Sequence, residues 1–442
     1  QKALGDKFNL ETDAVAYVDQ SIVIGKNGGF YFGNVEGDNG GGVKLATNSV
    51  TVIDADHFMQ SGESVFAGDG ADLTLGGGET NARIVLDNLL SKGTLDLTTG
   101  DIKNVADPTG YITSTNLFLE LKGTVEGDPS SVVIGFNEGA VKDAAVAGAV
   151  DQILTAGGNR KNQIVINAIG QQDEFLNAAG DQLNGRGEQA VKEFVAAPVT
   201  AGTYNMAYDS MELISNALIQ RNLDAKKGLG VWADVFYGSN ESDSLYGDSG
   251  YSSDIYGGML GVDFGFGEGA RVGAALSIGS GDGDSEGSVS KYSTDSDFWG
   301  LSVYAGKDFG GLTFTGDMSY LWLDNDIGGS VAGASASESL DSTVFSLGVR
   351  ADWKAYEGKV LQVVPHAGVR WASIDVDDYR GLSMDKMNVI EMPIGVTVKG
   401  VFETASGWQV APEIDFTAAP QIGDTEVETI IGDVDVIDNV YN

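Results

Sequence analysis

The sequence predicts an all-β chain, with a parallel β-helix or solenoid-like first part, short helical segments and one longer helix, then an antiparallel transmembrane β-barrel. Three observations carry this reading. In the second half apolar and polar residues alternate with a period of two over many successive segments, so each strand has one oily and one polar face. No stretch reaches the ~18 consecutive apolar residues of a membrane helix, which leaves strands as the way across a bilayer. The 63 glycines against 7 prolines in 442 residues suit tight turns and close backbone approach.

In the segment Tyr256 to Phe266, the residues Tyr256, Leu260, Val262, Phe264 and Phe266 share a face, opposite Gly257, Gly261, Asp263 and Gly265. The same alternation recurs around Val272, Leu276 and Ile278, around Trp299, Leu301 and Val303, and around Phe314, Met318, Tyr320 and Trp322. It continues with Phe345, Leu347, Val349 and Trp353, then with Val369 and Trp371, then Ile394, Val396 and Val398, and finally Trp408, Ile414 and Phe416. A soluble β-sandwich also alternates, so the connections decide. Short ones fall at 265–269, 308–311, 356–359 and 404–407, and long polar ones at 239–250, 279–297, 324–342, 375–388 and 420–433. Tight turns at one end and long loops at the other are the pattern of an outer-membrane barrel.

Trp232, Tyr256, Trp299, Trp322, Trp353, Trp371 and Trp408 lie near strand ends and are expected to form aromatic girdles. On the opposite faces Asp263, Asp317, Arg350, Asp352, Lys354, Arg370, Glu391, Lys399, Glu413 and Asp415 are expected to line the lumen, as plain hydrated wall or as clamps on a helix. Counting from Gly228 gives nine strands and a tenth beginning near Asp433. The barrel is therefore expected to be cut short at its C-terminal end, or completed by another polypeptide.

Just before the barrel, Met206 to Lys227 has helical spacing, with Met211, Ile214, Leu218 and Ile219 on one face and Glu212, Gln220, Arg221 and Asp224 on the other. Asp209 near its start and Lys226 and Lys227 at its end suit the helix dipole, and Gly228 terminates it. This helix, the run Gly230-Val231-Trp232-Ala233-Asp234-Val235-Phe236-Tyr237-Gly238, and then Tyr256 to Phe264 together resemble the translocator domain of type V autotransporters. Trp408-Gln409-Val410-Ala411-Pro412 and Pro420-Gln421-Ile422-Gly423-Asp424 are similar to the family's late strand and following loop.

The resemblance implies a twelve-stranded barrel in the bacterial outer membrane, a helix threaded through its pore by Met211, Ile214, Leu218 and Arg221, and an N-terminal passenger at the cell surface. It also implies a terminal aromatic residue read by the outer-membrane barrel assembly machinery, where this chain has Asn442. In some relatives the linker is cleaved at an Asn inside the barrel, and Asn216 and Asn222 sit in the matching stretch.

From Phe30 to Phe136 short strands such as 50–53, 73–75, 84–86, 94–97, 117–121 and 132–136 suit a stacked solenoid, although no clean numerical repeat emerges. Residues 140–156 and 187–196 read as helices, and 198–202 as a linker, because Pro198 cannot continue a helix. The expected organisation is thus a passenger remnant at 1–137, a helical junction and linker at 138–203, the pore helix at 204–227 and the barrel at 228–442. The chain opens on Gln1 without an apolar leader, which reads as a mature or trimmed exported protein.

Chemistry is sparse. The balance of 64 acidic against 26 basic residues gives a formal charge of −38, which repels nucleic acid. Cysteine is absent and the only histidines are His57 and His366, so no thiolate, multi-histidine or other cofactor site is expected. Gly247-Asp248-Ser249-Gly250 spells a serine-protease nucleophile motif, but a Ser/Asp/Gly-rich loop produces it by chance. The run Ala67 to Asp72 approaches a calcium nonapeptide once only, and Asp282 to Gly287 starts like an EF-hand loop but has Ser293 where a bidentate Glu is needed.

The sequence therefore points to a non-enzymatic translocator that anchors and exports its own passenger, an adhesin or surface structural protein whose partner the sequence does not reveal. Outer-membrane lipid is the partner the barrel itself requires. A porin-like diffusion channel, or a surface adhesin whose active part lies upstream of residue 1, are the alternatives.

Overall fold

The computed structural model describes every residue except 1, 5–6, 11–14, 19–20, 25–28, 33–41, 69–70, 77–80, 225–226, 247–248, 287–288, 359, 401, 404–408, 411, 424, 437–439 and 442. The chain forms two units, residues 1–191 and 192–442.

In the first unit the chain passes repeatedly through three parallel sheets. One holds Lys2–Leu4, Ser21–Ile24, Val50–Asp54, Arg83–Asp87 and Ile112–Ser114, and another Val15–Val18, Gly42–Leu45, Asp72–Leu75 and Ile102–Lys103. The third holds Lys7–Leu10, Gly29–Phe32 and Phe66–Gly68. Leu45, Ile53, Phe66, Leu73, Ile84 and Leu86 are buried between them. Strands of the first sheet begin at residues 2, 21, 50, 83 and 112, and this uneven spacing is why no fixed period shows in the sequence.

Three of the expected rungs do not stack in this way. Gly93–Asp96 pairs antiparallel with Asp128–Phe136, which pairs antiparallel with Leu119–Val125 across a two-residue turn at Glu126 and Gly127. Gly127 has φ +81°, which turns the chain back on itself instead of letting it run on to another coil. Helices follow at Ala144–Ile153 and Arg160–Ile169, capped by the side chains of Asp143 and Asn159. Both pack onto this unit through Lys92–Asp151 at 2.6 Å and Arg160–Asp56 at 2.5 Å.

The second unit is one antiparallel up-and-down sheet. Its strands are β1 (Gly228–Tyr246), β2 (Ser249–Gly265), β3 (Ala270–Glu286), β4 (Lys291–Phe309), β5 (Leu312–Val331), β6 (Glu338–Trp353), β7 (Leu361–Val376), β8 (Ile394–Gly400), β9 (Glu413–Ala419) and β10 (Val440–Tyr441). Each pairs with the next in chain order. The residues near Asp433 do not begin a tenth barrel strand: Gly432–Asp435 pairs with Glu426–Thr429 as a separate hairpin in which Val427 and Val434 are buried, and Asn205 donates to the Val436 carbonyl just beyond it at 2.8 Å.

The first three long polar stretches are largely not loops, whereas the fourth leaves the ladder after Val376 and returns to it at Met387. Strands β1 to β7 run 16–20 residues, whereas about 9–11 cross a bilayer. The surplus is ladder: Asp282 pairs with Asp295, and Asp324 with Asp341. Ser, Asp and Gly on both faces suit a ribbon wetted on both sides, and this composition imitates a loop. The EF-hand-like run thus lies on a straight strand through Glu286, and Ser249 of the protease-like motif opens β2.

Burial along these strands is inverted relative to a soluble sheet. Leu260, Val262, Leu301, Val303, Leu347 and Val349 are 46–60 % exposed, while Asp263, Asp317, Arg350, Asp352, Arg370 and Glu391 are 1–6 % exposed. Only a surface covered by lipid makes that arrangement favourable. One outer aromatic row runs through Trp299, Trp322, Tyr320, Phe345 and Trp371, with the two indoles stacked at 4.1 Å. A second lies nearer the short turns, at Phe264, Phe266, Phe309, Phe314 and Trp353. From Trp299 to Phe309 is about 33 Å of strand, or about 25 Å of height after the usual tilt, the thickness of the apolar band. Lysine in place of Val303 is expected to cost roughly 2–4 kcal/mol of folding free energy in lipid, against roughly 0–1 kcal/mol for Asp297→Lys beyond the girdle, read from urea titrations in liposomes.

Candidate functional site: the barrel lumen and its helix

Helix α1 spans Thr203–Asp224, 22 residues or about 33 Å, enough to thread the barrel. A helix on a protein surface buries one stripe. Here both faces are buried, and only Asn216 among residues 203–223 is exposed, because the barrel wall surrounds it. Of the residues expected to thread the pore, Met211, Ile214 and Leu218 are fully buried and Arg221 is half-buried.

Polar residues on the helix meet the wall charges. Arg221 donates to both oxygens of Asp263 on β2, at 2.6 and 3.1 Å. Tyr304 on β4 also donates to Asp263, at 3.0 Å, and receives the Trp232 indole N–H at 2.9 Å. Midway, Ser215 donates to Asp317 on β5 at 2.9 Å and accepts from Arg370 on β7. Arg370 lies 3.7 Å from Asp317 and 3.5 Å from Glu391, and Tyr208 donates to Glu391 at 2.8 Å. Near the short-turn end Asn222 donates to Thr315 at 2.8 Å and to the Ala305 carbonyl at 3.2 Å. The helix is therefore fixed in rotation and height by hydrogen bonds at three levels.

Four of the nine wall residues Asp263, Asp317, Arg350, Asp352, Arg370, Glu391, Lys399, Glu413 and Asp415 thus engage the helix directly or through Ser215. The others pair along the wall: Arg350 donates twice to Asp352 at 2.7 and 2.9 Å, Lys399 meets Glu413 at 3.4 Å, and Thr397 donates to Asp415 at 2.5 Å. Lys399, Glu413 and Asp415 are only half-buried, and Lys354 is exposed past the end of β6.

Trp232 is not a girdle residue. It turns inward and is 8 % exposed, seated over Gly261, where a side-chain carbon would come within 2.4 Å of the indole. Arg221 lies 5.7 Å from its ring centroid. Tyr256, Trp299, Trp353 and Trp371 are exposed on the outer face, Trp322 is half-exposed, and Trp408 and Lys226 lie outside the described residues.

Sequence reasoning missed Tyr204, Tyr208 and Ser215, and named Asn222 only as a candidate cleavage position and not as a wall contact. Their signal was present: with Met211 and Leu218 they recur at alternating steps of four and three, one stripe on a helix. It also missed the wall glycines against which the helix packs. A side-chain carbon on Gly306 would lie 2.2 Å from Asn222, and one on Gly281 2.5 Å from the Met206 sulfur. The expected linker at 198–202 is likewise no linker, since residues 195–202 are buried and Pro198 stands in the first turn of a short helix, Ala197–Thr200.

Removing Asp317 leaves the 4 %-exposed Arg370 with Glu391 as its acidic partner. Asp317→Ala is expected to lower stability in detergent by about 3 kcal/mol, measured from the denaturant midpoint. Gly306→Val is expected to displace the helix, giving conductance bursts in planar bilayers where the unaltered chain is silent.

Residues 231–438 match the family described as autotransporter β-domain. The β-domain of the Bordetella autotransporter BrkA shares 15 % identity over 44 % of this chain and 80 % of its own, at a TM-score of 0.35. The translocator domain of the autotransporter NalP from Neisseria meningitidis shares 15 % identity over 52 % of this chain and 90 % of its own, at 0.39. No curated protein matches. By the family match, with an outward oily face and a helix threaded through a polar lumen, the second unit of this chain is an autotransporter β-domain, an outer-membrane unit for secretion of a passenger.

Proposed function

We propose that this barrel exports and anchors the residues that precede it in the same chain, and that residues 1–191 are the surface-displayed end of its passenger. The observation carrying this reading is the 22-residue helix in the lumen, held by Arg221–Asp263 and Ser215–Asp317 and continuous in sequence with the first unit. A channel built for diffusion has no use for a helix bonded at three levels of its bore.

The passenger is read as an adhesin or structural stem. Parallel pairing in three sheets is what a stacked stem requires, and such stems present long side surfaces. Its polar groove, lined by Asp72, Asp96, Thr98, Asp101 and Asp128, is occupied by bonds among its own residues: Ser131 donates to Asp96 and Asp128, and Lys103 pairs with Asp72 and Asp101. Ser130 and Ser131 hold the Asp128 carboxyl below the usual range. Stable ionised acids paired in this way serve solvation and stiffness better than acid–base catalysis. Lipid around the apolar band and the barrel assembly machinery are the partners this reading supplies.

Protease added to intact cells is expected to remove residues upstream of Lys192 while sparing the buried segment 195–202 and the barrel, followed by mass analysis of the retained fragment. Steady conductance of the unaltered chain, with nothing released from the surface, would instead establish the porin reading.

A further inference from the structure

At the long-loop end of the second unit, the chain entering the lumen is enclosed. Residues 193–202, which precede the helix, are all buried as well. Five contacts close over this segment. Glu193 accepts the backbone N–H groups of Val289 and Ser290, at the tip between β3 and β4, at 3.0 and 2.7 Å. Thr294 donates to the Ala201 carbonyl at 2.7 Å, and Tyr204 to the Asp385 carbonyl at 2.9 Å. Phe194 meets the Tyr379 ring edge to face at 5.9 Å.

The strap from Asp377 to Lys386, which leaves β7, carries a tight turn. Tyr379 and Leu382 exchange backbone hydrogen bonds at 3.0 and 2.8 Å, and the two residues between them, Arg380 and Gly381, have φ +52° and +78°. That is the hairpin turn that demands a left-handed conformation at both central positions, for which arginine is a poor choice. The reason for arginine lies across the mouth. Its guanidinium donates to the carbonyls of Ser337 at 2.8 Å and Ser335 at 3.2 Å, in the connection between β5 and β6, and lies 3.4 Å from Glu338 at the start of β6. Tyr379 donates to the Ala336 carbonyl in the same connection at 2.5 Å. Arg380 is only 6 % exposed and Tyr379 is fully buried, so a strained, charged turn has been pressed into the tip of another hairpin.

We propose that the turn Tyr379–Leu382 is a latch: seated on residues 335–338 it closes the mouth over the entering chain, and withdrawn it opens the mouth. This deepens the translocator reading and rests on it for the direction of traffic. The strain at Arg380 suits a latch, because the turn holds this conformation only while its guanidinium has the carbonyl crown to bind. Phe194, on the entering segment, packs against the latch from below, so the seated state senses whether that segment is in place.

The chain contains no cysteine, so one introduced thiol reports one position. In the full chain folded in detergent, Thr200→Cys, at a residue 3 % exposed, is expected to react slowly with a sulfonated maleimide. Adding Arg380→Ala is expected to speed labelling roughly tenfold, the effect of about 1.4 kcal/mol on the opening equilibrium. Tyr379→Phe, which loses one hydrogen bond, is expected to speed it less and serves if Arg380→Ala does not give the heat-modifiable band of a folded barrel. Equal labelling rates with the folded latch variants and without them overturn the proposal. Labelling of Asp284→Cys on intact cells separately tests the membrane reading, since it reports whether the long-loop end faces outside.

Discussion

A sheet immersed in lipid must turn its apolar face outward, and every charge it carries must then find a partner inside. The rest of the second unit follows from that constraint. Asp263, Asp317, Arg370 and Glu391 are buried on the inner side of the wall, and the helix brings them Arg221, Ser215 and Tyr208 as partners. Buried ion pairs of this kind add little net stability, because desolvation takes back most of the Coulomb attraction. What they confer is register: one rotation and one height of the helix satisfy all of them, and any other leaves a buried charge alone.

Close packing makes the same selection by shape. The wall meets the helix with Gly281 opposite Met206 and Gly306 opposite Asn222, so the helix backbone approaches the strands more nearly than side chains on both would allow. On the outer surface nothing of the kind applies, because lipid conforms to whatever side chain it meets. That difference explains why the outer face is a sequence of interchangeable Leu, Val and Phe, while the inner face is specified residue by residue.

The outer face was accordingly the legible part. Alternation at Leu301, Val303, Leu347 and Val349 is a pattern of types, and a pattern of types survives without knowledge of partners. Trp232 broke the girdle expectation because an aromatic at a strand end is interfacial only if its parity points outward, and its parity is set by Gly261 and Tyr304 on other strands. The polar ribbons beyond the membrane read as loops because composition distinguishes wet from dry, not strand from coil. In the first unit the turn at Glu126 and Gly127 defeated the solenoid expectation for residues 119–136, since a short apolar run looks the same in a parallel rung and in a hairpin.

The two ends of the helix face different problems, and the structure answers them differently. At the short-turn end the clamp is ionic and ring-lined, with Arg221 against Asp263 and over Trp232, all supplied by the wall and the helix themselves. At the mouth, the segment before the helix is covered by hydrogen bonds to backbone groups of three separate connections: Glu193 to the β3–β4 tip, Tyr379 and Arg380 to the β5–β6 connection, and Tyr204 to the strap. Contacts to backbone groups are indifferent to the identity of the residue they touch, so they form with whatever conformation brings the connections together. They also require those connections to come together over the segment before the helix. Under the proposed export of the chain through this bore, the inner clamp assembles with the helix itself, whereas the mouth closes by contacts among the connections once that segment is seated.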